Sequence, residues 1–361
     1  MIGFILIFTS FSLWAESRQE RRFQKPIRDL QRSLKQKDPE EVLNLLIQNG
    51  NRSDLFELEA LLRVYESEYP ETLSGFLEDH IKPFEDELGR WVDIREAIAF
   101  SEKVKAPKEV LAFLKGKEES SKDNLKKFLQ EQNLIGEDSE SSPLKKLQEE
   151  LEETDWSKKK RDRKTVLKAF IKLLKQIENK NYDLKLLEDG VHELRREVRW
   201  LPIYLRSFND LFKLDDRSLP EAKLEKDDPI YQSPYSKLPR VADPVSFPIL
   251  FPRLGFLAVN KVVEGLGKAK EMGKMEALLT HVFQETGLAS SQTQAKMLAK
   301  SLVKKHPDYV PVFQKASTLY RFLTDKERGL VTALRPLLKE QKDWKKPDCQ
   351  AFLTALRKRQ R

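Results

Sequence analysis

The stretch VHELRREVRWL, residues 191–201, gives the most direct indication of the fold. Val191, Leu194, Val198 and Leu201 follow one another at the spacing of one helix face, and Leu205 continues the row. An apolar row with this period is typical of an amphipathic α-helix that packs one side on a core. We therefore expect a core-facing helix at this point of the chain.

The same stretch carries a basic row. Its members, at positions i, i+3, i+4 and i+7, are His192, Arg195, Arg196 and Arg199. Residues at this spacing share a side of a helix, and like charges there repel one another. Arg206 extends the row if Pro202 does not break the helix. The pattern predicts that an anion or a set of acidic side chains neutralises this face.

The composition predicts an all-α protein. Of the 361 residues 34% are charged and 39% are apolar, with only 13 glycines. Long stretches combine Leu, Lys and Glu, and no alternating apolar–polar pattern of useful length predicts a β-strand. The single cysteine, Cys349, excludes an intramolecular disulfide and a multi-cysteine metal site.

The first residues form an apolar, uncharged segment. Residues 1–15 read MIGFILIFTSFSLWA, and Glu16 and several arginines follow. This pattern predicts a secretory signal peptide cut after Ala15, and hence a periplasmic or secreted protein. The segment is shorter than the ~20 residues that a membrane-spanning helix needs, so no stable membrane span is expected. A buried N-terminal helix is the alternative.

Turn-forming and proline-rich segments divide the remaining chain. Seven prolines between residues 217 and 255 exclude a continuous helix there and predict an irregular connection. The predicted parts are an N-terminal helical half (16–140), a linker with an acidic helix (141–155), a C-terminal helical half (156–345, including the proline-rich 217–255) and a basic C-terminal helix (346–361).

Charge is distributed unevenly between these parts. Residues 16–155 hold 23 basic and 33 acidic side chains, a net charge of −10. Residues 156–361 hold 43 basic and 25 acidic side chains, a net charge of +18. An anionic partner is therefore expected to prefer the second half, or a boundary lined mainly by it.

Two short motifs occur twice in the same order. IRDLQR at residues 27–32 matches VHELRR at 191–196, and LGRWVD at 88–93 matches LGKAKE at 266–271. The first motif precedes the second by 61 residues in one copy and by 75 in the other. This arrangement predicts two related helical halves.

With these motifs the sequence resembles the CHAD family, the conserved histidine α-helical domains. In members of that family, two helical-bundle halves are related by a pseudo-two-fold axis, and a basic central surface binds inorganic polyphosphate. The resemblance covers residues 20–340 loosely. Here Arg28 stands where the first-half histidine is expected, and Trp200 and Pro202 replace basic residues.

The resemblance implies a non-enzymatic protein that holds polyphosphate or another phosphate-rich anion. Arg195, Arg196 and Arg199 would clamp phosphates, His192 would donate a hydrogen bond, and Arg206 would extend the face. The residues expected to line the same centre from neighbouring helices are Arg28, Arg32, Arg90, Lys268 and Lys270.

Two further interpretations remain open. The arginines can instead pair with the abundant Glu and Asp of the first half and hold the two halves together. The protein can also be a periplasmic helical scaffold that binds another protein or the cell envelope, with no small ligand. An enzyme is not expected, because the four histidines lack metal-ligand spacing and phosphate-binding glycine loops are absent. No cofactor, metal or nucleic acid is expected either, the last because aromatic and basic residues do not alternate.

Overall fold

The computed structural model describes residues 17–36, 38–135, 141–241 and 244–359. The predicted signal peptide, residues 1–15, lies outside the described residues. Helices dominate the described chain, which confirms the all-α prediction. Within the described residues, no helix is both long enough and apolar enough to cross a membrane.

The first seven α-helices lie in the N-terminal half and the linker region. They are α1 Arg18–Leu34, α2 Pro39–Gln48, α3 Arg52–Tyr65, α4 Pro70–Leu73, α5 Lys82–Lys103, α6 Lys108–Glu131 and α7 Pro143–Glu153. Side-chain caps mark the N-terminal ends of α1, α2 and α7. Ser17 forms a capping box with Glu20, and the side chains of Asp38 and Ser142 accept hydrogen bonds from the first turns of α2 and α7.

Eight α-helices and two short strands follow. They are α8 Lys159–Asn179, α9 Glu193–Val198, α10 Trp200–Ser207, β1 Phe212–Asp215, β2 Ile249–Pro252, α11 Arg253–Glu285, α12 Gln292–Val303, α13 Val312–Thr324, α14 Leu330–Glu340 and α15 Lys346–Arg359. Single turns of π-helix precede α5, at Phe76–Ile81, and α9, at Leu187–His192.

The helix predicted at residues 191–201 is present and continues to Ser207. Its apolar row is buried, with Val191, Leu194, Val198, Leu201 and Leu205 each 0% exposed. The α-helical assignment is interrupted only at Arg199, where the backbone still follows helical angles. Proline at position 202 has no N–H to donate to the carbonyl of residue 198, which accounts for this interruption.

The buried side chains form two hydrophobic clusters, and each draws residues from both predicted halves. The larger extends in sequence from Phe23 to Leu338. The smaller joins the end of α5 and the start of α6 to the second part of α11 and to α12, with Met272, Met275 and Phe283 among its members. The halves therefore share their cores, while the pseudo-two-fold relation and the domain boundaries stay predictions.

Two short strands, which no alternating pattern in the sequence predicts, form one pair. β1 and β2 pair in parallel, with Phe212 opposite Ile249. The side chain of Gln341 donates to the carbonyl of Leu250 and accepts from its N–H, both at 2.8 Å, so it ties the C-terminal end of α14 to β2. The strands are only four residues long and β2 is buried throughout, so it shows no alternating pattern.

A buried arginine connects four separate parts of the chain. The Arg22 guanidinium on α1 donates two hydrogen bonds of 2.7 Å to Asp210, and bonds of 3.0 and 3.1 Å to Asp162 on α8. Tyr65 on α3 donates to the same Asp162 carboxylate at 2.6 Å. Burial alone lowers the pKa of Arg22, but the interactions with Tyr65, Asp210 and Asp162 outweigh it and raise that pKa.

Replacement of Arg22 by methionine is predicted to lower the free energy of unfolding by about 3–5 kcal/mol, because two carboxylates would lose their buried counter-ion. Urea denaturation of the variant and the parent measures the difference. Arg32→Met, whose side chain on the same helix is 69% exposed, is the control and should change stability by less than about 0.5 kcal/mol. Equal effects of the two substitutions would show that the buried network contributes no special stability.

Candidate functional site

Helices α9 and α10 carry the predicted basic row into the interior of the bundle. α9 packs on α8 and α11, and α10 packs on α3, α8 and α11. The row divides into two. His192 and Arg196 are one turn apart and lie toward solvent, whereas Arg195 and Arg199 form the adjacent row, closer to the core.

Arg195 lies against α11. Its Nε is 3.4 Å from the place a Cβ on Gly267 would occupy, so the glycine leaves room for the guanidinium. Burial lowers the pKa of Arg195; the carboxylate of Glu271 acts in the opposite direction, and the positive charge of Arg52 adds to the lowering. The buried Nε has no hydrogen-bond acceptor among the described residues.

Arg199 is held by aromatic rings instead of carboxylates. Its guanidinium carbon lies 4.3 Å from the centre of the Phe56 ring and 5.4 Å from that of Trp200. Burial lowers the pKa of Arg199 to about 10, although Glu85 acts in the opposite direction. Its Nε is also buried without an acceptor among the described residues. Cation–π contacts compensate part of the cost of burying the charge, but they satisfy no N–H group.

Three more cations complete this group. Burial, and then the charge of Lys274, lower the pKa of Lys270. Arg52 on α3 donates a 2.8 Å bond to Glu85 and lies 3.9 Å from Asp93, which also pairs with Lys274. The central charge cluster, as we define it, comprises the cations Arg52, Arg195, Arg199, Lys270 and Lys274 and the carboxylates Glu85, Asp93, Glu96 and Glu271.

Arg52 and Lys274 were not among the predicted residues, since neither belongs to a basic row. The repeated Leu-Gly motif was the available signal. A Cβ on Gly89 would lie 2.7 Å from Nη2 of Arg52, much as Gly267 faces Arg195. Each glycine of the motif therefore makes space for one arginine of the cluster.

The other predicted residues are paired locally. Each of five contacts a carboxylate three or four positions away: His192 with Glu188 (2.7 Å), Arg196 with Glu193 (2.9 Å), Lys268 with Glu264 (2.8 Å), Arg32 with Asp29 (3.4 Å) and Arg90 with Glu87. Exposed pairs of this kind contribute little to stability. The arginine and lysine side chains of these pairs remain accessible to solvent.

Arg28 and Arg206 lie elsewhere. Arg28 lines a groove of about 200 Å³ between α1 and α7, together with Gln148 and Glu152. Nη2 of Arg206 donates a 3.4 Å bond to the carbonyl of Pro234 in the proline-rich connection. Of the ten predicted residues, the structure thus brings Arg195, Arg199 and Lys270 into one cluster.

The described residues offer no metal centre, because no group of three or more His, Cys, Asp or Glu side chains among them is placed to hold an ion. The central charge cluster consists of guanidinium, ammonium and carboxylate groups. Its chemistry is therefore ionic recognition: guanidinium forks suit phosphate or carboxylate oxygens, and buried cations strengthen such contacts.

Arg199→Met is predicted to raise the free energy of unfolding by about 1–2 kcal/mol in buffer without multivalent anions. The substitution removes a buried cation that lacks a carboxylate partner and keeps most of the packing on Phe56. Urea denaturation at pH 7 measures this change. Arg196→Met, at the exposed neighbouring position, should stay within about 0.5 kcal/mol of the parent. A clear loss of stability in Arg199→Met would mean that the guanidinium is structurally satisfied.

Comparison of the chain with protein-family models, with curated proteins and with solved structures found no match. The resemblance to the CHAD family therefore stays a prediction from the sequence motifs.

Proposed function

We propose that this protein is a non-enzymatic binding protein that holds inorganic polyphosphate, or another phosphate-rich anion, at the central charge cluster. The observation that carries the proposal is the state of Arg195 and Arg199. Both guanidinium groups are largely buried, both have lowered pKa values, and the Nε of each lacks an acceptor. Buried cations without partners are costly, and a bound anion would remove that cost.

Two of the four carboxylates of the cluster pair with other cations. Glu85 and Asp93 pair with Arg52 and Lys274, at the contact between α3, α5 and α11. No described carboxylate makes an ion pair with Arg195 or Arg199. A polyphosphate chain carries at least one negative charge per phosphate and presents the oxygen pairs that a guanidinium fork accepts.

The exposed cations extend the proposed binding surface. Arg196 and Lys268 lie on α9 and α11, the helices that supply Arg195 and Lys270. Their local carboxylate pairs are weak in water and can exchange for phosphate oxygens. The CHAD resemblance and the +18 charge of residues 156–361 agree with this ligand class. The proposed location, periplasmic or secreted, rests on the apolar residues 1–15.

A helical scaffold that binds a protein partner is the second candidate. The observation that favours it is the ion pair between Lys274 on α11 and Asp93 on α5, which joins helices of the two predicted halves. The neighbouring pair of Arg52 with Glu85 lies within the first half. In this case the cluster stabilises the contact between the halves and needs no ligand. The two candidates differ in whether Arg195 and Arg199 are needed for anion binding.

Calorimetric titration of the chain with long-chain polyphosphate at two salt concentrations tests the proposal. Binding should weaken steeply as salt rises, by analogy with counterion release from nucleic acids. Arg195→Met with Arg199→Met should weaken binding about tenfold or more, because each substitution removes charge-assisted hydrogen bonds.

Arg161→Met with Arg253→Met is the matched control, since it removes the same charge from exposed positions of α8 and α11 that are not part of the proposed site. This variant should bind polyphosphate nearly as tightly as the parent. If the chain does not bind polyphosphate at low salt, or if both double variants lose affinity equally, the proposal fails. The scaffold interpretation would then be preferred.

A further inference from the structure

A second basic site lies at the opposite end of α8 from α9. A pocket of about 300 Å³ is formed by the N-terminal ends of α1 and α8, the segment before β2 and the link between α14 and α15. Its cationic and aromatic lining consists of Arg18, Lys160, Arg163, Lys345, Phe247 and Trp344. No carboxylate lines the pocket among the described residues. The volume is at the lower end of the range for small-molecule sites.

Arg163 is the central group of this pocket. The residue is only 4% exposed. Its guanidinium donates one hydrogen bond, 3.1 Å from Nη1 to the carbonyl of Gln341, and its carbon lies 4.2 Å from the centre of the Phe247 ring. Nε and Nη2 are buried without an acceptor among the described residues. Burial lowers the pKa of Arg163, and the Cys349 thiol is the one group that acts in the opposite direction.

The surroundings add positive potential. Lys160 lies in the first turn of α8, where the helix dipole is positive. The one acidic residue of that turn, Asp162, pairs with Arg22. The N-cap residue, Lys158, makes no side-chain capping bond. Lys345 also lines the pocket and is exposed, and its backbone N–H donates a 2.5 Å hydrogen bond to Asp348 in the first turn of α15.

We propose that this pocket binds the phosphate group of a small phosphorylated compound. The phosphate oxygens accept hydrogen bonds from Nε and Nη2 of Arg163. The ammonium groups of Lys160 and Lys345 neutralise the remaining negative charge of the phosphate. Phe247 and Trp344 form an apolar wall for the organic part of the ligand. The site is separate from the central charge cluster, and it does not depend on polyphosphate binding there.

Isothermal titration with inorganic phosphate, at constant ionic strength set with sodium chloride, tests the proposal. The parent is expected to bind one phosphate at the pocket and to gain about 2 °C or more in melting temperature at saturation. Phenyl phosphate should bind more tightly than inorganic phosphate, whereas benzyl alcohol, which has no anionic group, should not bind. Tighter binding of benzoate than of phenyl phosphate would overturn the assignment to phosphate.

Arg163→Met should weaken phosphate binding about tenfold or more, since two charge-assisted hydrogen bonds are lost. Arg161→Met is the matched control: it removes the same charge from the same helix at a position with a 70% exposed side chain, and its affinity should equal that of the parent. Unchanged phosphate affinity in Arg163→Met would overturn the proposal. If Arg163→Met does not fold, the double variant Lys160→Met with Lys345→Met is measured instead. It should also bind phosphate more weakly than the parent, and unchanged affinity would overturn the proposal.

The two proposed sites can be tested independently. Arg195→Met with Arg199→Met should leave phosphate binding at the pocket unchanged, because these residues do not line it. Arg163→Met should likewise leave polyphosphate binding at the central charge cluster unchanged. If phosphate binding were lost in the Arg195 and Arg199 double variant and kept in Arg163→Met, the pocket would not be the phosphate site.

Discussion

The hydrogen-bonded ion network around Arg22 is the constraint on which the rest of the structure depends. One guanidinium on α1 joins two carboxylates that are 140 and 188 residues away in the chain, and Tyr65 from α3 completes the set. Because separating this buried cation from its carboxylates would be costly, the network favours one packing of α1, α3, α8 and the segment after α10. That packing also places α10 against α3, which puts Arg199 beside Phe56.

The other buried arginines contrast with Arg22. Arg22 is fully matched by carboxylates and has a raised pKa, whereas Arg163, Arg195 and Arg199 have lowered pKa values and unpaired Nε atoms. Selection for stability alone would replace such residues by apolar ones, since an uncompensated buried cation costs free energy. Their presence at two separate places is the physical basis for the two anion sites that we propose. At both places aromatic rings shield the guanidinium from water.

Helical periodicity made the all-α architecture predictable from the sequence. The site was only partly predictable, because five of the ten predicted residues pair with carboxylates close to them in the sequence. The apolar row from Val191 to Leu205 is fully buried, as its spacing predicts. The basic row was treated as one face, yet its two edges differ: Arg195 is turned toward α11 and Arg196 toward solvent. Arg52 and Arg22 were not predicted as key residues, because their partners lie far away in the sequence. The pairing of β1 and β2 was missed for the same reason.

The central claim is that the cations of α9, α10 and α11 bind an external anion. Hydrogen–deuterium exchange followed by mass spectrometry, with and without long-chain polyphosphate, tests it most directly because it locates the ligand on the chain. Amide exchange in residues 193–207 and 266–274 should be slower when polyphosphate is present. Unchanged rates in those segments, or protection confined to α6 and α12 with their exposed lysines, would show that polyphosphate does not bind at the central charge cluster.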